Sequence, residues 1–318
     1  MGRSAVRKIF IDGESGTTGL QVRQRLRNHD GIEILSIDPA DRRDPAAKSR
    51  IMQIADVTVL CLPDDAARES AALAATAGCR VLDASSAHRT SDDWVYGLAE
   101  LAPRQRAAIA GARQVANPGC YPTGVILLMR PLLAAGLLPR SGFYTVNAVS
   151  GYSGGGKSMI ERYEEEAGTP PCFAAYGLDF SHKHLPEIQH WSGLLHHPVF
   201  VPSVGNYAQG MLIFIPVRPN GKISPRKLHS ELERVYRHER FVRVLPLDEI
   251  AGGTAPFITP HGLENTNLVE LSVFGAPDQQ AAVLVARLDN LGKGASGAAV
   301  QNLNLMLGFP EHLGVDLP

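Results

Sequence analysis

The chain has 318 residues, of which 44% are hydrophobic and 20% charged, and its formal net charge is −1. That length has room for two domains with their own cores, the composition is that of an ordinary soluble globular protein, and no global field recruits nucleic acid or an anionic membrane. No apolar run reaches membrane-span length, and the basic start, residues 1–8, leads into a strand too short for a signal-peptide core. The four cysteines, Cys61, Cys79, Cys120 and Cys172, show no metal-type pairing. Such scattered use suits a reducing, cytoplasmic setting in which any special cysteine is catalytic.

Residues 8–12 read as a strand, followed by Gly13-x-x-Gly16-x-x-Gly19 and a helical pattern over residues 20–28. Glycines between a strand and a helix let the backbone approach a pyrophosphate at the helix N-terminus. Ser15, Thr17 and Thr18 add hydroxyl donors, so Gly13, Ser15, Gly16, Thr17, Thr18 and Gly19 form a candidate dinucleotide loop. The spacing is a variant of the usual G-x-G-x-x-G. A second strand, residues 32–37, ends at Asp38, where a carboxylate would bind a ribose 2′-hydroxyl. Arg42 and Arg43 follow and would instead hold a 2′-phosphate, so these residues leave NAD against NADP open.

Further strands are expected over residues 57–62 and 80–83, with weaker candidates at 107–110 and 114–116, and an alanine-rich helix over 66–77. Strands alternating with helices define a doubly wound parallel sheet of Rossmann type. The run after residue 83 lies where open parallel sheets bind ligands. It places Ser85 near a cofactor and offers Arg89 as an anion clamp, while His88 reads as structural.

Cys120 follows a Pro-Gly turn and precedes an apolar stretch, residues 125–138, that reads as a helix, with Pro122 near its first position. Free N–H groups and the positive end of the helix dipole then point at the sulfur and favour the thiolate, the nucleophilic form. Beyond Cys120 longer apolar strands appear (142–149, 210–216, 267–274), separated by loops rich in Gly, Pro and His. That texture indicates an α+β domain with a mostly antiparallel sheet. The expected division is residues 1–119 for the dinucleotide, completed by a C-terminal helix over 294–318 whose helical spacing of small residues, Leu and Met covers 295–307, and residues 120–293 for catalysis and oligomerisation.

The stretch from Gly151 to Ser158 satisfies the P-loop pattern G-x-x-x-x-G-K-[ST] and precedes a possible helix at 159–166. No clean strand ending in Asp completes a magnesium site; the best candidate, 242–248, is broken by Arg243 and Pro246. The stretch therefore reads as an anion-binding glycine loop for a substrate, with Ser153, Gly154, Gly155 and Lys157. His182 and His184 lie two apart ahead of a helix expected near Pro186, and either can serve as acid/base for a thiolate, since imidazole titrates near neutral pH. No third ligand at suitable spacing supports a metal.

Together these motifs resemble the N-acetyl-gamma-glutamyl-phosphate reductases in their shorter bacterial form. The most specific element is Asn117-Pro118-Gly119-Cys120-Tyr121-Pro122-Thr123, joined by the first glycine loop, residues 83–86, the 153–157 loop and His182-Lys183-His184-Leu185-Pro186-Glu187. Residues 289–302 resemble an ending shared with aspartate-semialdehyde dehydrogenases, but the Arg-x-Pro-Val segment expected of those enzymes has only a partial echo at residues 217–219. The resemblance implies NADP(H)-linked reduction of a small-molecule acyl phosphate to an aldehyde, the third step of arginine biosynthesis. It implies Cys120 as the thioester-forming nucleophile, His184 as acid/base, and His182 as a substrate contact or the alternative base. It further implies that the 154–157 loop holds the departing phosphate, that Lys293 and Gly294 lie near the nicotinamide, and that the chain forms a homodimer or homotetramer.

Overall fold

The computed structural model describes residues 6–164, 169–218, 224–247, 257–275 and 281–315. The chain divides into two compact units. One runs to Pro118 and resumes at Ala295; the other runs from Gly119 to Gly294.

In the first unit β1 (Arg7–Asp12) leads through the glycine loop into α1 (Thr17–Leu26), then β2 (Ile32–Leu35), α2 (Pro45–Met52), β3 (Val57–Leu60), α3 (Asp64–Ala77) and β4 (Arg80–Asp83). A two-residue β5 (Val95–Tyr96), α4 (Gln105–Gly111) and β6 (Gln114–Ala116) complete a six-stranded sheet ordered β2-β1-β3-β4-β6-β5, parallel throughout. Its central strands β1, β3 and β4 are short runs buried on both faces, as a parallel sheet covered by helices requires, while edge strand β2 has no fully buried residue. Phe10, Met52, Leu60 and Val81 form the core under α3. Residues 107–110 are helix, not the weak strand the sequence suggested. In Gln105–Gly111 only Ile109 is buried, so a single apolar contact on an alanine-rich turn suffices.

The second unit opens with α5 (Cys120–Ala134) and continues through β7 (Thr145–Gly151), α6 (Lys157–Glu164), β8 (Phe173–Ala175), α7 (His184–Ser192), β9 (Val199–Gly205) and β10 (Met211–Val217). It closes with α8 (Pro225–Tyr236), β11 (Val242–Val244), β12 (Val269–Phe274) and β13 (Ala282–Leu288). The seven strands order as β11-β12-β13-β10-β7-β9-β8. Four ladders are antiparallel, while β11–β12 and β7–β9 are parallel, so the sheet is mixed with an antiparallel majority. The helix α5 is buried along nearly its whole length and lies on β10 and β13.

A π-helical turn at Gly292–Ser296 then leads into α9 (Gly297–Leu307), which rejoins the first unit against α1 and α4. The C-terminal helix is thus shorter than the expected 294–318. Gly308 at φ +78° ends it, Pro310 follows, and residues 316–318 lie outside those described. Among the described residues no helix is long and apolar enough to cross a membrane.

Candidate active site

In the first unit the loop after β1 turns at Gly13, whose φ is +88° and whose absent Cβ would stand 2.3 Å from the Cys61 carbonyl oxygen. Only glycine fits there. Gly16 begins α1 with extended dihedrals, and no side chain caps the helix. Thr17 and Thr18 are its first two residues, Gly19 is buried in its first turn, and Ser15 is exposed beside it. Orphan amides with adjacent hydroxyls make a cradle for a pyrophosphate, so these residues fit a dinucleotide.

Beyond β2, the Asp38 carboxylate is occupied as a cap, accepting the Ala40 N–H at 2.8 Å. Arg42 and Arg43 are exposed. Arg42 reaches Glu14 at 3.8 Å, and Glu14 is held by Arg23 at 2.5 Å. Ser85 is buried and donates from its hydroxyl and its backbone N–H to Asp83, at 2.7 and 2.8 Å. Asp83 also pairs with His88 Nδ1 at 2.7 Å, and the His88 ring stacks on Trp94. Arg89, 8% exposed, donates to the carbonyls of Asn117 and Ala84 at 2.9 and 3.2 Å, so it ties two backbone segments of this unit.

In the second unit Cys120 is itself the first residue of α5, five residues earlier than the apolar run suggested, and Gly119 is the N-cap. Thr123 makes the first intrahelical bond, donating to the Gly119 carbonyl at 3.0 Å from its N–H and 2.9 Å from its hydroxyl. Pro122 sits among the first-turn positions, where its missing N–H costs nothing. Gly294 closes on the thiol from behind, since a Cβ there would come within 2.8 Å of Cys120 Cβ. Its neighbour Lys293 is 1% exposed, with Nζ 5.4 Å from the centre of the Phe241 ring.

Half-buried Cys120 opens on a cleft of about 220 Å³ lined by Tyr121, Ser150, Gly151, Gly154, Gly155, Met159, Tyr176, His182, Lys183, His184, Ser203 and Val204. The His182 and His184 rings are 4.8 Å apart, and each meets the Tyr121 ring edge-on. The His184 backbone N–H donates to His182 Nδ1 at 3.2 Å. That fixes Nδ1 as the acceptor and leaves the proton of neutral His182 on Nε2. Burial, with Lys183 beside it, lowers the His182 pKa to about 4. The Tyr121 and Tyr176 hydroxyls lie 3.1 Å apart, and burial pushes Tyr176 up to about 12.

Gly154 and Gly155 reach the cleft through their backbone, but Ser153 and Lys157 of the same loop are not among its lining residues, and neither is Arg89. Ser153 donates to the Ala208 carbonyl at 2.5 Å and accepts from Asn290 at 2.9 Å. The Lys157 side chain is 80% exposed and pairs with Glu161 at 3.4 Å. This loop follows β7, which runs antiparallel to β10, and β11 stands at the far edge of the sheet. Its parallel neighbour β9 carries no Asp or Glu, so among the described residues no adjacent strand offers the second acidic site of a nucleotide hydrolase; Asp248, at the end of the 242–248 candidate, lies outside the described residues. Among the described residues no group of three or more His, Cys, Asp and Glu side chains is placed to hold a metal ion.

Sequence reasoning gave no role to Tyr176, Ser150 or Glu187. Glu187 carried a signal, one helical turn after His184. The other two had none, because strand pairing alone brings them to the cleft.

A dinucleotide-type parallel sheet in one unit, and in the other a mixed sheet with a helix-start cysteine and paired histidines in one cleft, are the parts of an oxidoreductase. Residues 8–109 match the semialdehyde dehydrogenase NAD binding domain and residues 120–290 the semialdehyde dehydrogenase dimerisation domain, so the chain belongs to the semialdehyde dehydrogenase family. Within that family its relatives are reductases. It is 49% identical to N-acetyl-gamma-glutamyl-phosphate reductase 2 of Nostoc sp., over 97% of this chain and 99% of that one. It is 48% identical to N-acetyl-gamma-glutamyl-phosphate reductase of Burkholderia cenocepacia, over 94% and 97%. The fold is also that of aspartate semialdehyde dehydrogenase II from Vibrio cholerae, with TM-score 0.69 and 16% identity, covering 96% of this chain and 99% of that one.

Proposed function

We propose that the chain catalyses NADPH-dependent reduction of N-acetyl-L-glutamyl 5-phosphate to N-acetyl-L-glutamate 5-semialdehyde and phosphate, in arginine biosynthesis. The observation that carries the reading is Cys120 at the first position of α5, in one cleft with His182 and His184. The Cys120 thiolate attacks the γ-carbonyl carbon, the carbon–oxygen bond to phosphate breaks, and phosphate leaves with the electron pair. The product is a thioester on Sγ, which splits one hard step into two easier ones. Bound NADPH supplies the hydride that reduces the thioester carbonyl. The carbon–sulfur bond then breaks and returns the thiolate as the semialdehyde leaves.

Each tetrahedral stage puts negative charge on the former carbonyl oxygen. The first amides of α5 are oriented to receive it. His184 is the acid/base for these stages, as it lines the cleft with Cys120. His182 stays neutral above about pH 4 with its proton on Nε2, which suits a hydrogen-bond donor to substrate oxygen better than a base. The Gly154–Gly155 backbone receives the departing phosphate. Gly13 to Gly19 cradle the pyrophosphate, and Arg42 with Arg43 holds the 2′-phosphate.

No Asp or Glu is among the described residues that line the cleft, whereas Lys183 and two histidines are. A free α-ammonium would lose its hydration there without a counter-charge, whereas an N-acyl amide carries none to desolvate. That favours the N-acetylated substrate over aspartyl phosphate. We assign the chain to the cytoplasm and to a homodimer or homotetramer built on the second unit's sheet. The test is phosphate-dependent NADP⁺ reduction with N-acetylglutamate semialdehyde against aspartate semialdehyde. Equal or better turnover of the aspartate compound overturns the substrate assignment.

A further inference from the structure

Glu187 is 1% exposed, yet no step above uses it. It lies on α7 three residues after His184, one helical turn along the same face. Its Oε1 accepts the backbone N–H of Gly119 at 2.8 Å. Gly119 is the N-cap of α5 and directly precedes Cys120. An N-cap N–H has no acceptor inside its own helix, and in a capping box a glutamate from the helix's own first turn supplies one. Here the acceptor comes from a second helix, 68 residues away in sequence.

From this we infer that Glu187 is a positioning residue for the thiol: by holding Gly119 it fixes where α5 begins, and because it shares a helical turn with His184 it locks the distance between acid/base and nucleophile. The inference rests on Cys120 being the nucleophile. The physical requirement is plain. The extended-to-helical change at the N-cap sets where α5 and Cys120 begin, and Gly119, at φ −76° and ψ 157°, has no side chain of its own to restrain it. A reacting group displaced by ~1 Å can lose a factor of about 100 in rate. Ser203 and Thr123 also bond near this turn, but each bonds within α5 or to Tyr121. The Glu187 bond joins the turn before Cys120 to the helix that begins at His184.

The test separates anchoring from a general loss of fold and from the substrate assignment. The rate at which iodoacetamide alkylates Cys120 is measured across pH for the whole protein, without substrate, in Glu187→Ala and Glu187→Gln. NADPH binding by fluorescence serves as the control for folding, and kcat and KM are measured alongside. Gln keeps an oxygen acceptor in the same place without the charge. The expected result is that E187A binds NADPH normally but alkylates about tenfold or more slowly, and loses kcat with KM little changed. E187Q restores most of both, with its alkylation profile moved to lower pH because a carboxylate no longer opposes thiol ionisation. If E187A does not fold, E187Q alone decides, and the anchor is upheld by near-normal alkylation in that variant. Wild-type alkylation and kcat in folded E187A overturn the inference, as does a folded E187Q as slow as Ala. If alkylation behaves as expected but N-acetylglutamyl phosphate is not turned over, the anchor stands and the substrate assignment falls.

Discussion

The two helix starts that matter chemically, α1 in the first unit and α5 in the second, share one device. Both have a glycine N-cap and no side-chain cap. By contrast α2 is capped by Asp44, which accepts from Ala46 and Ala47, and α8 by Ser224, which accepts from Lys227. Capping is worth ~1 kcal/mol per helix. α3, α4, α7 and α9 also lack a side-chain cap, but only α1 and α5 pair that with a described glycine N-cap. In the proposed function their first amides serve ligand phosphates at α1 and the sulfur with its developing oxygen at α5. They differ in how the turn is held. At α1 the backbone closes on itself, with Gly13 forced to positive φ against Cys61. At α5 the turn is gripped from outside, by Glu187 in front and Gly294 behind.

That contrast can be broken most severely at the sulfur. Cys120→Ala should lower turnover by at least about 10³-fold while NADPH affinity, measured by fluorescence, stays within about twofold; comparable turnover in the variant would remove the thiol from the chemistry. Next comes the self-closed turn. Gly13→Ala forces a Cβ into the Cys61 carbonyl at positive φ, with strain of ~1–3 kcal/mol, and should weaken NADPH binding and lower Tm without changing how fast Cys120 is alkylated. A smaller effect is expected at the far end of the same ligand. Arg42→Ala should weaken NADPH about tenfold and leave NADH unchanged, with the difference shrinking as salt rises. The smallest effect is on acid stability. The folded His182 pKa, about 4, lies below its ordinary 6.5. The unfolded chain therefore takes up a proton first as pH falls, and the stability present above about pH 6.5 is progressively lost toward pH 4. His182→Asn should flatten that part of a denaturation-against-pH curve.

Both helix starts were legible before any coordinates, because glycine spacing and a Pro-Gly turn are local and encode backbone directly. The parallel sheet was legible for the same reason: short doubly buried runs alternate with alanine-rich helices. The weak strand at 107–110 was misread because a short apolar stretch has no period, and an alanine-rich helical turn with one buried residue looks the same. The helical spacing over residues 295–307 agrees with α9, whereas the helix assigned to 294–318 with the domain boundary ran past Gly308, whose stop signal was there to be read. Lys157 looked like a phosphate ligand from its letter pattern, but the loop presents backbone to the cleft and sends that side chain outward. Tyr176 and Ser150 were beyond reach, since they meet Cys120 only through the pairing of β7 and β9 and the turn after β8.

The return of α9 to the first unit bears on how the protein is made. Gly97 carries no Cβ because Asn302 occupies that space and donates to the Gly97 carbonyl at 2.8 Å, and Asn302 also donates to Asn117 at 3.0 Å. During synthesis the thiol-bearing unit is one uninterrupted stretch, complete once Gly294 has left the ribosome. Its companion, though begun first, must wait for α9 to close its flank. Vectorial synthesis thus favours finishing the unit that carries Cys120 before the unit that carries the glycine loop, the reverse of the order in which they are encoded.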